Sequence, residues 1–347
     1  MSSTTDLLPL PYRAHDLDGL LAGWQKTLVD AYRWMVLART LDGRMLALQR
    51  QGRVGFYGPA TGQEAVSVGT ALALSPSDWV FPGLREQLVA LVRGHPLGHY
   101  MDHLFANDRD PARGRQMPCH PTCRDVRYAS MSSVIGTQIS QAVGVGYGLK
   151  LRHENAVAVA YFGDGATSAN DFHAGLNLAG VLEAPVLFCC TNNQWAISVP
   201  VAHQSRVPEL AQKAAAYGLP GHRVDGTDVV AVHLAAREAL ARIRAGGGPE
   251  MLEFVLYRMT PHSSSDDPTR YQAKEWAEQA RVHDPVPRLE RLLEELGALP
   301  PALKERIASE ADTAVRAAID SSEAVPPPDP ASLFTDVFAP GPVPGGG

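Results

Sequence analysis

The sequence predicts an α/β fold, a parallel sheet flanked by helices on both faces. Two observations carry this. First, AVAVAYFGDG (156–165) and APVLFCCTNNQ (184–194) are unbroken apolar runs of β-type residues that each end on turn-forming residues. Second, a helical stretch, ATSANDFHAGLNLAGVLEA, joins them, and a similar strand–helix–strand unit follows, with HRVDG, a helix over 228–245 and MLEFVLYRMT. Strands this apolar suit a parallel sheet covered on both sides.

The remaining elements follow in chain order. Residues 1–19 read as irregular, and a leucine-spaced helix runs from about Leu20 to Arg50. Residues 53–62 read as a loop, and GQEAVSVGTALAL from Gly62 as a helix of small residues. SPSDWVFPGLRE supplies a short strand between turns, then residues 84–107 read as helical. Residues 108–130 read as irregular, and a small-residue helix starts at Ser132. A helix is expected over 208–217, a polar loop over 261–272 and helical structure over 273–321. The last stretch is rich in Pro and Gly and reads as extended, with FTDVF able to dock on the body or a partner. We expect an extension over 1–30, the α/β domain over 31–322 and a tail over 323–347.

Composition narrows the function. Lys and Arg total 31 against 37 Asp and Glu, a net charge of −6, which disfavours nucleic acid as a partner. There is no secretory leader pattern and no apolar run long enough to span a bilayer. Four cysteines without a disulfide framework fit a reducing cytoplasm. Cys119 and Cys123 flank His120, but a single close pair is weak support for zinc, so both read as ordinary thiols.

The chemistry concentrates in Gly163-Asp164-Gly165 and Asn192-Asn193. Either motif alone is also just a turn or a loop cap. Asp164 and Asn193 lie 193 − 164 = 29 residues apart, which suits one strand–helix–strand unit. Both side chains then reach the carboxyl edge of the sheet, where such proteins bind ligands. A helix N-terminus there offers free N–H groups to an anion. One carboxylate, one amide oxygen and a backbone carbonyl make a sparse hard-cation site, which Mg²⁺ completes with phosphate oxygens and water. A Mg²⁺–diphosphate ligand fits. No G-x-G-x-x-G follows a strand, which argues against a nicotinamide dehydrogenase.

GDG followed after about thirty residues by NN resembles the thiamine diphosphate signature. From about Tyr32 to Tyr271 the chain resembles the alpha subunit of the decarboxylating component of 2-oxoacid dehydrogenase complexes. The resemblance rests on GQEA (62–65), FPGLRE (81–86), GRQMPCH (114–120), SSVIGTQ (132–138), GDG…NN, DGTD (225–228) and PHSSSDDPTRY (261–271). GRQMP-x-H and HSSSDDP are most similar to the branched-chain (2-oxoisovalerate) type.

The resemblance implies a thiamine diphosphate-binding fold and oxidative decarboxylation of branched 2-oxoacids, with acyl transfer to a lipoyl group on a partner acyltransferase. It implies Mg²⁺ on Asp164, Asn193 and the Trp195 carbonyl. Gly163, Gly165 and Ala166 would line the diphosphate, and Arg85 would pair with it. Ser133 and Ile135 would support the cofactor near its aminopyrimidine. His262 would stand by the phosphates and the reacting centre, and His120 would face the channel; these two are the expected catalytic histidines. A monovalent cation would sit near Ser132, Thr137 and Gln138. The glutamate that activates the aminopyrimidine has no strong candidate here, so a separate beta subunit and an α₂β₂ heterotetramer are implied. The loop Ser263–Asp267 would order on cofactor binding, with Arg258 and Tyr271 bonding the aspartates, and Ser263 matches a serine phosphorylated in organellar relatives. Two positions depart from the pattern: Leu84 stands where tyrosine is usual, and Thr191 where some relatives have arginine. A pyruvate- or acetoin-cleaving relative is the alternative of the same class, and a non-catalytic scaffold is that of another class.

Overall fold

The computed structural model describes residues 17–335. The expected irregular leader up to residue 16, and the tail from Asp336 with most of FTDVF, lie outside the described residues. The chain begins with α1 (Leu17–Arg50), α2 (Glu64–Ala71), β1 (Trp79–Phe81), α3 (Gln87–Val92) and α4 (Leu97–Phe105). Then come α5 (Thr137–Leu151), β2 (Ala158–Gly163), α6 (Asn170–Leu182) and β3 (Val186–Asn192). A short ribbon, β4 (Trp195–Ala196) and β5 (Val199–Pro200), leads into α7 (Val201–Gln204). β6 (Gly221–Asp225), α8 (Val229–Arg242), β7 (Glu250–Val255), α9 (Lys274–Val282), α10 (Pro285–Glu295) and α11 (Pro301–Glu323) complete it.

The main sheet has the order β1-β2-β3-β7-β6, and every neighbouring pair is parallel. Strand side chains alternate between its faces. Val159, Tyr161, Leu187, Cys189, Leu252 and Phe254 pack with Ala231, Ala235 and Leu240 of α8. Ala158, Ala160, Phe162, Val186, Phe188 and Cys190 pack on the other face with Ile139 and Val143 of α5 and Phe172 and Leu176 of α6. The central strands are apolar throughout because both faces are covered. A third core joins α1 to α4, α10 and α11 around Met35, Met45, Leu104, Leu293 and Val315. The route from β2 to β3 runs over one face through α6, and that from β6 to β7 over the other through α8. The direction of winding therefore reverses beside β3 and β7, and ligands bind at such reversals.

Several expected helices differ. The stretch 84–107 is two helices, because Gly94 takes φ +103° and Pro96 follows it. The helix expected from Ser132 starts only at Thr137, since Gly136 at φ +93° breaks the chain direction. The 273–321 stretch is three helices, each restart marked by proline at its first turn, Pro285 and Pro301. Residues Leu210–Tyr217 form a 3₁₀ run rather than an α-helix.

Candidate active site

Three adjacent strands deliver the site. Asp164 follows β2, Asn193 follows β3 and Arg258 lies beyond β7, all at the carboxyl edge. Gly163 pairs with Thr191 in the ladder, so the ends of β2 and β3 are level. A cavity of about 470 Å³ opens there. Its walls include Arg85, His120, Ser133, Ile135, Asp164 and His262, with Gly163, Gly165, Ala166, Asn193 and Trp195 at its base and Leu84, Ser132 and Gln138 around it. Thr137 caps no part of this wall; it opens α5. The structure thus gathers residues spread from Leu84 to His262.

The helix expected directly after GDG begins later, at Asn170. Neither Gly163 nor Gly165 takes a positive φ, and the chain enters a 3₁₀ turn, Asp164–Ser168, before α6 begins. Glycine at 165 serves close approach instead, because a Cβ there would lie 2.8 Å from the Ala196 Cβ. The first N–H groups of that turn, at Gly165 and Ala166, precede any carbonyl they could reach within it.

Asp164 is 1% exposed. Burial pushes its carboxyl up to about 6, against opposing hydrogen bonds and the Arg258 charge. Its Oδ2 accepts from Gln204 Nε2 at 2.8 Å, and Gln204 Oε1 accepts from Ser168 Oγ at 3.2 Å. Asn193 Oδ1 accepts from Trp195 N at 3.2 Å. The Trp195 carbonyl accepts from Arg258 Nη1 at 3.3 Å, which leaves its second lone pair. Asp164, Asn193 and Trp195 line one cavity, and a carboxylate, an amide oxygen and a carbonyl are the hard oxygens a small divalent cation takes. Asn192, by contrast, is structural, its amide donating to buried Glu253 at 2.7 Å.

Gln204 carried no sequence signal, since the four-residue helix α7 brings it back across the ribbon. It fixes the rotamer of the Asp164 carboxylate from outside the donor set. Gln204→Leu should weaken Mg²⁺ affinity by roughly 10- to 100-fold, measured as the Mg²⁺ dependence of diphosphate binding by calorimetry. An unchanged Mg²⁺ dependence would show that Asp164 needs no such partner.

Arg85 is 5% exposed and donates to the carbonyl of Pro59, to the His262 carbonyl at 2.6 Å and to His262 Nδ1 at 3.2 Å. Burial lowers it to about 10, followed by repulsion from Arg258, so it stays charged at neutral pH. His262 is lowered to about 4 by burial and by the same two guanidinium groups. Its Nδ1 accepts from Arg85, so Nε2 carries the hydrogen and can donate to an anion. Where the resemblance expects arginine, Thr191 Oγ1 donates to Glu86 Oε1 at 3.3 Å. Burial pushes the Glu86 carboxyl up.

The polar loop makes one of its two expected contacts, Tyr271 to Asp266, and not the other. Arg258 does not reach the aspartates; it donates to the Ile197 carbonyl and the Tyr271 hydroxyl, each at 2.7 Å. Tyr271 in turn donates to Asp266 at 2.5 Å, and Asp266 accepts from the His262 N–H at 2.8 Å. Asp267 caps the next turn through Thr269. Cys119 and Cys123 are buried thiols, each pushed up to about 12 by burial. A second cavity, about 520 Å³, shares no wall residue with the first. Its His95 and His103 face Asp125 and Asp110, and no three-residue metal cluster exists among the described residues.

The family model described as Dehydrogenase E1 component matches residues 32–331. A 3-methyl-2-oxobutanoate dehydrogenase subunit alpha of Mycobacterium tuberculosis is 42% identical over 91% of this chain and 83% of that protein. A mitochondrial 2-oxoisovalerate dehydrogenase subunit alpha 1 of Arabidopsis thaliana is 38% identical over 94% of this chain and 71% of its own length. The mitochondrial human 2-oxoisovalerate dehydrogenase subunit alpha is 37% identical over 90% of the chain and 71% of its own length. A match of this extent, on a chain whose parallel sheet brings Asp164 and Asn193 to one edge, places the protein in the dehydrogenase E1 component family.

Proposed function

We propose that this chain is the alpha subunit of a branched-chain 2-oxoacid dehydrogenase. It acts on 3-methyl-2-oxobutanoate and related branched 2-oxoacids, releasing CO₂ and passing the acyl group to a lipoyl group on a partner acyltransferase. The observation that carries this is the meeting of Asp164, Asn193, Arg85 and His262 in one cavity. The relatives' names supply the substrate class.

In this reading Asp164, Asn193 and the Trp195 carbonyl hold Mg²⁺, and the Gly165 and Ala166 N–H groups and Arg85 bind the diphosphate. When bound, thiamine diphosphate supplies the electron sink that decarboxylation needs. His262, kept neutral between two arginines, donates from Nε2 without adding a third cation. Ser133 and Ile135 support the cofactor, and His120 faces the channel. A monovalent cation near Ser132, Thr137 and Gln138 would brace the same loop. Glu86 is a carboxyl in the wall, but its oxygens already accept from Arg85 N and Thr191, so we leave aminopyrimidine activation to a beta subunit in an α₂β₂ assembly. Buried, unpaired thiols support a reducing cytoplasm. No helix among the described residues is long and apolar enough to cross a membrane.

The test uses the chain co-expressed with its beta partner. With 3-methyl-2-oxobutanoate and pyruvate offered separately, kcat/KM should favour the branched acid by roughly tenfold or more, the worth of a few methylene contacts. Preference for pyruvate would move the assignment to the alternative substrate, and no turnover of either would favour the scaffold reading.

A further inference from the structure

His120 reaches the cavity from a loop that is held in an uncommon conformation. Cys119, just before it, takes φ +65°. A non-glycine residue in this left-handed region carries a cost that its surroundings must offset. The His120 ring is bonded at both nitrogens. Nδ1 lies 3.0 Å from the Pro118 carbonyl and Nε2 lies 2.6 Å from Ser133 Oγ. A carbonyl only accepts, so Nδ1 carries the hydrogen and Nε2 accepts from the serine hydroxyl.

The backbone of His120 is held separately. Its N–H is shared between His103 Nε2 and the carbonyl of Met117, each at 3.1 Å, so His103 supplies the hold that comes from outside the loop. His103 lies on α4, 3% exposed, and its Nδ1 meets Asp110 Oδ1 at 3.3 Å. A backbone N–H only donates, so His103 accepts at Nε2 and donates from Nδ1. Asp110 is fixed in turn by the N–H groups of Ala112 and Gly114, each at 3.0 Å. Each member of this series has one polarity available and uses it.

We propose that His103, oriented by Asp110, is a positioning residue for His120. It clamps the strained loop so that His120 Nε2 and the Ser133 hydroxyl meet at the cavity wall. This rests on the reading of His120 as a working group of the site. Sequence spacing does not show the relation, because His103 reads as one of several helix-face histidines.

The test uses the assembled complex with thiamine diphosphate and Mg²⁺. His103→Leu removes both bonds, whereas His103→Gln keeps an acceptor for the His120 N–H and a donor for Asp110. His103→Leu should lower kcat by roughly 10- to 100-fold, the effect of a misplaced group, with KM for the 2-oxoacid changed about twofold or less. His103→Gln should restore most of kcat. In a His120→Ala background, His103→Leu should add less than about a twofold further loss, since the two act as one unit. Thermal unfolding checks that the variants fold, and His103→Asn, too short to bridge both partners, replaces the leucine variant if it does not. Wild-type kcat in the His103 variants alongside a loss in His120→Ala overturns the clamp and leaves the reading of His120 intact. Fully multiplicative losses in the double variant also overturn it. Wild-type kcat in His120→Ala defeats the reading on which the clamp rests.

Discussion

Asp164→Ala should remove Mg²⁺-dependent binding of thiamine diphosphate, by about a hundredfold or more, while leaving the complex folded. Asp164 is the single carboxylate in the proposed donor set, so its loss leaves only neutral oxygens for the cation. The side chain is almost fully buried, and its carboxyl is already held up to about 6 by desolvation. Removing a buried charge whose main partner is the Gln204 amide should relieve cost rather than add it. Acid approaches the same state in the wild type. A metal binds the deprotonated carboxylate, so Mg²⁺ affinity should be retained above about pH 6 and fall as pH drops through that value. Calorimetric titration of the cofactor with Mg²⁺ into the co-expressed complex reads both effects. Wild-type affinity in Asp164→Ala would place the cation elsewhere.

Gly62→Ala should destabilise the fold strongly, because backbone conformation and steric contact both oppose it. Gly62 sits at φ +94°, and a Cβ there would lie 2.5 Å from the Tyr257 carbonyl and 2.7 Å from Met259 Cγ. The methionine can move, but the carbonyl belongs to the segment that presents Arg258. The backbone conformation alone costs an alanine about 1 kcal/mol or more. With the steric contact added, a loss of roughly 2–4 kcal/mol is expected. Gly52→Ala is the control: φ is +73° there, but nothing lies within 4 Å of the added Cβ. Thermal unfolding of the complex should separate the two, with Gly62→Ala lower by several degrees. Gly62→Ala should also weaken cofactor binding, because displacing Tyr257 moves Arg258. Equal midpoints for the two variants would show that the segment yields.

Local pattern was enough for the sheet and for half of the site. The apolar strands and the 29-residue interval place Asp164 and Asn193 side by side because strand length and helix length are local quantities. Helix limits are not legible in the pattern wherever a single residue, such as Gly94 or Gly136, redirects the chain. Pairings across long separations were not legible by the same means. Arg85 meets His262 across 177 residues, and only the resemblance brought them together beforehand. Gln204 and His103 act through hydrogen bonds whose partners are chosen by tertiary packing, which leaves no periodic trace. Arg258 was expected at the aspartates; it is drawn instead to the carbonyls of the β4–β5 ribbon, a feature too short to read in advance.

The layer that joins α1 to α11 ties the two ends of the described chain together, partly through ion pairs such as Arg44–Asp312. That has a consequence in time. Synthesis must travel from residue 50 to residue 323, 323 − 50 = 273 residues, before α1 meets its last partner. At ribosomal speeds of roughly 5–20 residues per second, this is about 14–55 seconds. During that interval the apolar side of α1, with Leu28, Met35 and Met45, waits without its full cover. The first helix therefore waits longer for its last packing partner than any strand of the sheet does.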